Sequence, residues 1–112
     1  MDPGQVLWVY ITAADDAEAR RIGRALVEEG LAACVNLLPG HTAIYRWEGR
    51  VEEAEEAAFV AKTTAARFEA LRARIRALHS YTLPCIVALP VAVGDEGFLD
   101  WVRAGAVAPP AG

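Results

Sequence analysis

Four side chains in this sequence have the chemistry to hold a soft metal ion or to serve as nucleophile and base: Cys34, Cys85, His41 and His79. Thiolate and neutral imidazole are the ligands copper and zinc prefer. A thiol beside an imidazole is also the minimum for a cysteine nucleophile. No two of the four stand at a close-ligand spacing such as Cys-x-x-Cys or His-x-x-x-His. A site built from them must therefore assemble from separate strands or separate subunits. No nucleophile elbow, P-loop or paired acids accompany them, so the expectation is a protein that is not an enzyme. The run Glu52, Glu53, Glu55 and Glu56 reads as a solvated face.

Each candidate also has a simpler reading. Cys34 suits a small buried hydrophobe on a strand. His79 follows a helix C-terminus, where the dipole favours the imidazolium. His41, just after Pro39-Gly40, suits a solvated loop. Lys62, at a strand end before a helix cap, can hold an anion with help from the helix N-terminus, or simply face water. Tyr45 and Trp47 fit an interface anchor or a platform for a planar ligand. Asn36 fits a group that satisfies backbone near Pro39-Gly40, and Tyr81 and Trp101 read as packing residues.

The elements that must position these residues are legible as hydrophobic patterns. Val6 to Ile11 is a continuous apolar run suited to a central strand. Asp15 or Asp16 caps a helix with Ala19, Ile22, Gly23, Leu26 and Val27 on its apolar side, and Gly30 ends it. Leu31 to Leu38 is a second strand, interrupted by Pro39-Gly40 and continued as extended chain from His41 to Trp47. Glu48-Gly49 turns it, and Arg50 to Lys62 returns. Thr63 or Thr64 caps a second helix striped by Phe68, Leu71, Ile75 and Leu78. His79 to Thr82 is a loop, Leu83 to Val91 a last strand, and Asp95 to Arg103 a short amphipathic helix built on Phe98, Leu99, Trp101 and Val102.

The order β-α-β-β-α-β is an α+β, ferredoxin-like sandwich in a single domain spanning 1–112, with 104–112 as a frayed tail. The second and fourth strands then form the sheet edges, where Pro84 and Pro90 are tolerated. Cys34 and Cys85 fall on opposite edges, about 14 Å apart across three strand spacings, too far for a disulfide within one chain. The hairpin arms each exceed a dozen residues, against about 5–6 for an ordinary strand. Their tip must overhang the sandwich, and an overhanging hairpin with aromatic side chains favours pairing with another copy. Such an assembly has a core without any ligand, so no metal is expected to be required for folding.

Composition narrows the partners. A formal net charge of −4 argues against nucleic acid or an anionic membrane as partner. The N-terminus has no basic signal-peptide segment, and no apolar run reaches the ~20 residues that span a bilayer. Two isolated cysteines fit a reducing compartment, so the expected location is the cytoplasm.

Together the elements Ala32-Ala33-Cys34-Val35-Asn36, Pro39-Gly40, Tyr45-Arg46-Trp47-Glu48-Gly49, Lys62-Thr63, His79-Ser80-Tyr81-Thr82-Leu83-Pro84 and Leu99-Asp100-Trp101 resemble the CutA family of divalent-cation tolerance proteins. The likeness spans Val6 to Arg103. It implies a homotrimer whose hairpins extend neighbouring sheets. It also implies weakly held copper or another divalent cation, with Cys34 and His79 as metal ligands. A cleft between subunits, similar to that of nitrogen-regulatory signalling trimers, would be lined by Asn36, Tyr45, Trp47, Lys62 and Tyr81. Two positions depart from the family pattern: Ser80 stands where a proline is usual, and Cys85 where a glutamate is usual. The second removes a hard oxygen ligand and offers a thiol, which favours copper(I) or zinc. Two other functions fit the same residues: a signalling trimer that takes an anionic small molecule beside Lys62, and a thiol-dependent enzyme using Cys34 with His79.

Overall fold

The computed structural model describes residues 1–108. Its elements run β1 (Val6–Ala13), α1 (Asp16–Glu28), β2 (Cys34–Trp47), β3 (Arg50–Thr64), α2 (Ala65–Leu78), β4 (Ile86–Pro90) and α3 (Glu96–Gly105). The four strands form one antiparallel sheet in the order β2-β3-β1-β4. This is the α+β sandwich expected, with β2 and β4 at the edges.

Alternation along the strands explains where the core lies. Leu7, Val9, Ile11 and Ala13 of β1 share a face with Phe59 and Ala61 of β3, and all are buried. Ile22 and Leu26 of α1 and Leu71 and Ile75 of α2 cover that face as one apolar cluster. A smaller cluster joins Val6 to Leu99 and Val102 of α3. The opposite, outer face of the sheet carries Trp8, Tyr10, Val60, Val87 and Leu89 in register; α3 covers only its Val6 end, and α1 and α2 lie on the other face.

The helix starts are built as capping chemistry predicts. Asp15 caps α1 by accepting from Glu18 N at 2.8 Å, and Glu18 returns a carboxylate oxygen to Ala14 N at 3.0 Å. Gly30, with φ of 70°, follows the end of α1. Asp95 caps α3 through Phe98 N. Thr64 stands at the start of α2 without a side-chain cap bond.

Boundaries and two exposures differ from the sequence reading: β2 begins at Cys34 and not at Leu31. β4 is Ile86–Pro90, so Pro84 lies in the preceding loop and only Pro90 occupies the edge strand. Ala104 and Gly105, expected in a frayed tail, complete α3; 109–112 lie outside the described residues. Val27, placed on the apolar side of α1, is exposed, and Trp101, expected to pack, is half exposed and stacks on Phe98.

The long hairpin positions the site. β1 pairs with β3 only over Ala57–Thr64, so Arg50–Glu56 and its partner segment His41–Trp47 project beyond the sandwich. Glu48 and Gly49 both have positive φ, 49° and 78°, as the two-residue turns matching strand twist require. Between Leu38 and His41 the register shifts: β2 advances three residues while β3 advances two. This bulge at Pro39-Gly40 changes the phase of β2. It puts His41, Ala43, Tyr45 and Trp47 on the same outer face as Cys34, Asn36 and Leu38. Without it, both hairpin aromatics would point to the other side.

Candidate functional site

Where the hairpin leaves the sheet body, the loop from Ser80 to Cys85 folds over the outer face and borders an open cavity of about 650 Å³. Tyr45, Trp47 and Ala43 come from β2, Glu56 from β3 and Thr12 from β1. Ser80, Tyr81, Thr82, Leu83 and Cys85 supply the remaining wall. Glu56 is the one charged residue lining it. β3 alternation puts this carboxylate on the outer face while Glu53 and Glu55 face away, so Glu56 is not part of the solvated run: its side chain is 12% exposed.

The Tyr81 hydroxyl donates to Glu56 Oε2 at 2.9 Å. Burial, followed by this bond and the neighbouring negative charges, pushes the phenol up to about 12, so Tyr81 remains a donor across the physiological range. His41 Nε2 stands 3.7 Å from Glu56 Oε1, too far for a hydrogen bond. His41 therefore belongs to a strand and faces Glu56 rather than sitting in a solvated loop. Cys85 is partly buried and free; burial and then the Glu56 charge raise its thiol above the ordinary range. A raised thiol is a poor nucleophile at neutral pH.

Behind the cavity lies a buried polar network. The His79 side chain is fully buried. Its Nε2 is 2.7 Å from Thr12 O, and Nδ1 accepts from Tyr81 N at 3.0 Å, which assigns the proton to Nε2. Glu18 accepts from Ser80 N and Ser80 Oγ at 2.9 and 3.0 Å, besides Ala14 N. Burial raises the Glu18 carboxyl, but these bonds and the nearby imidazole outweigh it and leave the group below its ordinary value. His79 is the C-cap residue of α2, its N–H donating to Ile75 O, and its ring also ties the α2 end to β1 and the loop.

A second cluster lies on the outer face at the other end of the strands. Lys62 Nζ donates to Asn36 Oδ1 and lies 5.1 Å from the Trp8 ring centre and 5.9 Å from that of Phe98. The α2 N-terminus does not assist it. The Ala65 and Ala66 amides donate to Gln5 O and Pro3 O, and the Lys62 side chain lies on the opposite sheet face. The anion pocket of lysine plus helix end is therefore not formed.

The residues expected to line one cleft thus fall into two groups. Tyr45, Trp47 and Tyr81 meet at the cavity with Glu56, Thr12 and Cys85; Cys34, Asn36 and Lys62 lie with Trp8. Cys34 pairs with Lys62, which pairs with Trp8, whereas His79 binds Thr12, four residues on. That is about 13 Å along the strand, so one chain does not bring Cys34 and His79 together. Both ring nitrogens of His79 are already engaged. Among the described residues no group of three His, Cys, Asp or Glu is placed to hold a metal ion. Both thiols are free: Cys34 starts the edge strand β2, and Cys85, expected in β4, lies in the loop before it at the opposite side of the sheet. The sequence signal for Glu56 was its even-numbered phase with Lys62 along β3, which the neighbouring glutamates obscured.

Residues 7–105 match the family model of the CutA1 divalent ion tolerance protein. The chain belongs to this family. It is 54% identical over 95 residues to the divalent-cation tolerance protein CutA of Thermus thermophilus, covering 85% of this chain and 92% of the relative. It is 42% identical over 101 residues to human protein CutA, covering 90% of this chain and 56% of the human protein. The solved structure of the Thermus thermophilus divalent cation tolerance protein superposes with a TM-score of 0.89 at 50% identity, over 91% of this chain and 99% of that one. The CutA structure from Archaeoglobus fulgidus, described as periplasmic, gives 0.87 at 41% identity, over 91% and 99%. No helix among the described residues of this CutA chain is long and apolar enough to cross a membrane.

Proposed function

We propose that this CutA protein is a cytoplasmic, homotrimeric binder of divalent cations, copper foremost, that acts in metal tolerance and performs no catalysis. Family membership carries the reading, because relatives across most of the chain are named for divalent-cation tolerance. The geometry refines how binding would occur. A preformed chelate of Cys34 and His79 is not built within one chain, so the metal is held weakly and between copies. Cys34, half-buried on the β2 edge, supplies a thiolate, and the remaining ligands, a His79 released from Thr12 among them, come from the neighbouring copy. The raised Cys85 thiol and the separation of Cys34 from His79 both disfavour a thiol enzyme.

The test is titration of the chelator-stripped protein with Cu(I), Cu(II) and Zn(II), its mass followed by light scattering. Uptake at no more than about micromolar affinity, lost in Cys34→Ser, is expected, since a single-thiolate site lacks the closed ligand shell of a structural metal site. Chelation should leave the mass unchanged. A wild type that takes up no metal refutes the reading, and a chelator-induced fall to monomer refutes the metal-independent assembly.

A further inference from the structure

We infer that the cavity between the hairpin and the Ser80–Cys85 loop is a binding site for a small organic ammonium ion. The inference is independent of the metal reading and rests on the cavity's lining alone. Among the lining residues the single charge is negative, Glu56, and three aromatic rings, Tyr45, Trp47 and Tyr81, share the wall with it. A carboxylate set among electron-rich ring faces attracts a cation carrying apolar carbon, because the rings stabilise the charge and cover the hydrocarbon at once.

The polar details fit the same ligand. Glu56 Oε2 is taken by the Tyr81 hydroxyl, while Oε1 has no hydrogen-bond donor among the described residues, His41 Nε2 standing at 3.7 Å. One carboxylate oxygen is thus held in place and the other is free to accept from an incoming N–H. Within one chain an anionic ligand finds no arginine or lysine in the lining, since Lys62 is committed to Asn36 and Trp8 elsewhere. A bare metal ion finds one carboxylate with its second oxygen already bonded, too few hard ligands for a site. A volume of about 650 Å³ exceeds what a single ion needs and suits a molecule of several carbons.

The test uses the assembled, metal-free protein labelled with ¹⁵N. Benzylammonium is titrated while the indole N–H of Trp47, assigned with Trp47→Phe, is followed by NMR; benzyl alcohol and benzoate serve as neutral and anionic controls. A saturable shift with benzylammonium alone is expected. Glu56→Gln should weaken it at least about tenfold, the scale of one charge-assisted hydrogen bond, with mass by light scattering unchanged. Tyr45→Ala, on the exposed hairpin, should also weaken it and keeps the test open if Glu56→Gln does not fold. Equal response to benzoate, an unaffected Glu56→Gln, or no response to any of the three overturns the inference. The last result is also what a cavity filled by a neighbouring copy would give.

Discussion

Glu18 occupies the first turn of α1 yet its side chain is only 8% exposed, and its two oxygens bind Ala14 N, Ser80 N and Ser80 Oγ. The network fastens the start of α1 to the loop that frames the cavity. Its carboxyl is depressed below the ordinary 4.5. The stabilisation is therefore complete above that value and is lost as pH falls through the lower, folded-state value. Glu18→Gln should cost about 1–3 kcal/mol at pH 7, because a buried donor is left without its charged acceptor. It should also flatten the acid limb of stability below about pH 4.5. Urea unfolding of both proteins from pH 7 to pH 3 checks this; parallel acid limbs would refute it. Little of this was legible beforehand. Glu18 has no unusual neighbours in sequence, and His79 looked like a helix-end cation because the carbonyl it binds, Thr12 O, lies 67 residues away. Glu56 was hidden in a glutamate run that only strand phase divides.

Elements were far easier to read than sites. Apolar periodicity and caps locate both long helices and β1, because these signals are local. The sequence pattern extends β4 back to Leu83 because Leu83 and Cys85 are as apolar as strand residues, yet they wall the cavity instead of joining the sheet. The hairpin shows the same limit at its bulge. Pro39-Gly40 announces a break, but the direction in which Tyr45 and Trp47 emerge depends on one extra residue in β2. At the tip, Glu48 holds a positive φ of 49°, a conformation that costs a residue with a Cβ roughly 1–2 kcal/mol. Glu48→Asn should stabilise the hairpin by about 0.5–1 kcal/mol, since asparagine tolerates this region and Asn-Gly is the preferred pair here. A rise in the urea midpoint at constant m-value is the expected reading. A lowered midpoint would mean that the Glu48 side chain makes a favourable contact outweighing the backbone strain.

On the scale of the whole molecule, the outer sheet face is the unresolved surface of a lone chain. Trp8, Tyr10, Val87 and Leu89 are 44%, 37%, 50% and 60% exposed, side by side across β1 and β4. Exposed apolar surface this contiguous marks an interaction site, and β4 leaves one backbone edge unpaired beside it. The homotrimer proposed above would take this patch of Trp8, Tyr10, Val87 and Leu89 as its core, with each hairpin lying along a neighbour. A charge at its centre should then be far more damaging to assembly than to the fold. Val87→Glu removes an apolar side chain from the middle of the patch and obliges a carboxylate to be desolvated on association. It leaves the helix-covered core on the opposite face untouched. Light scattering at micromolar concentration should show Val87→Glu falling from about three chains to one, with helical circular dichroism retained. Val93→Glu, at an 88% exposed position in the loop after β4, should keep the parent mass. If Val87→Glu also keeps it, copies associate through the hairpin edges instead, and the open sheet face must be covered by something other than this chain.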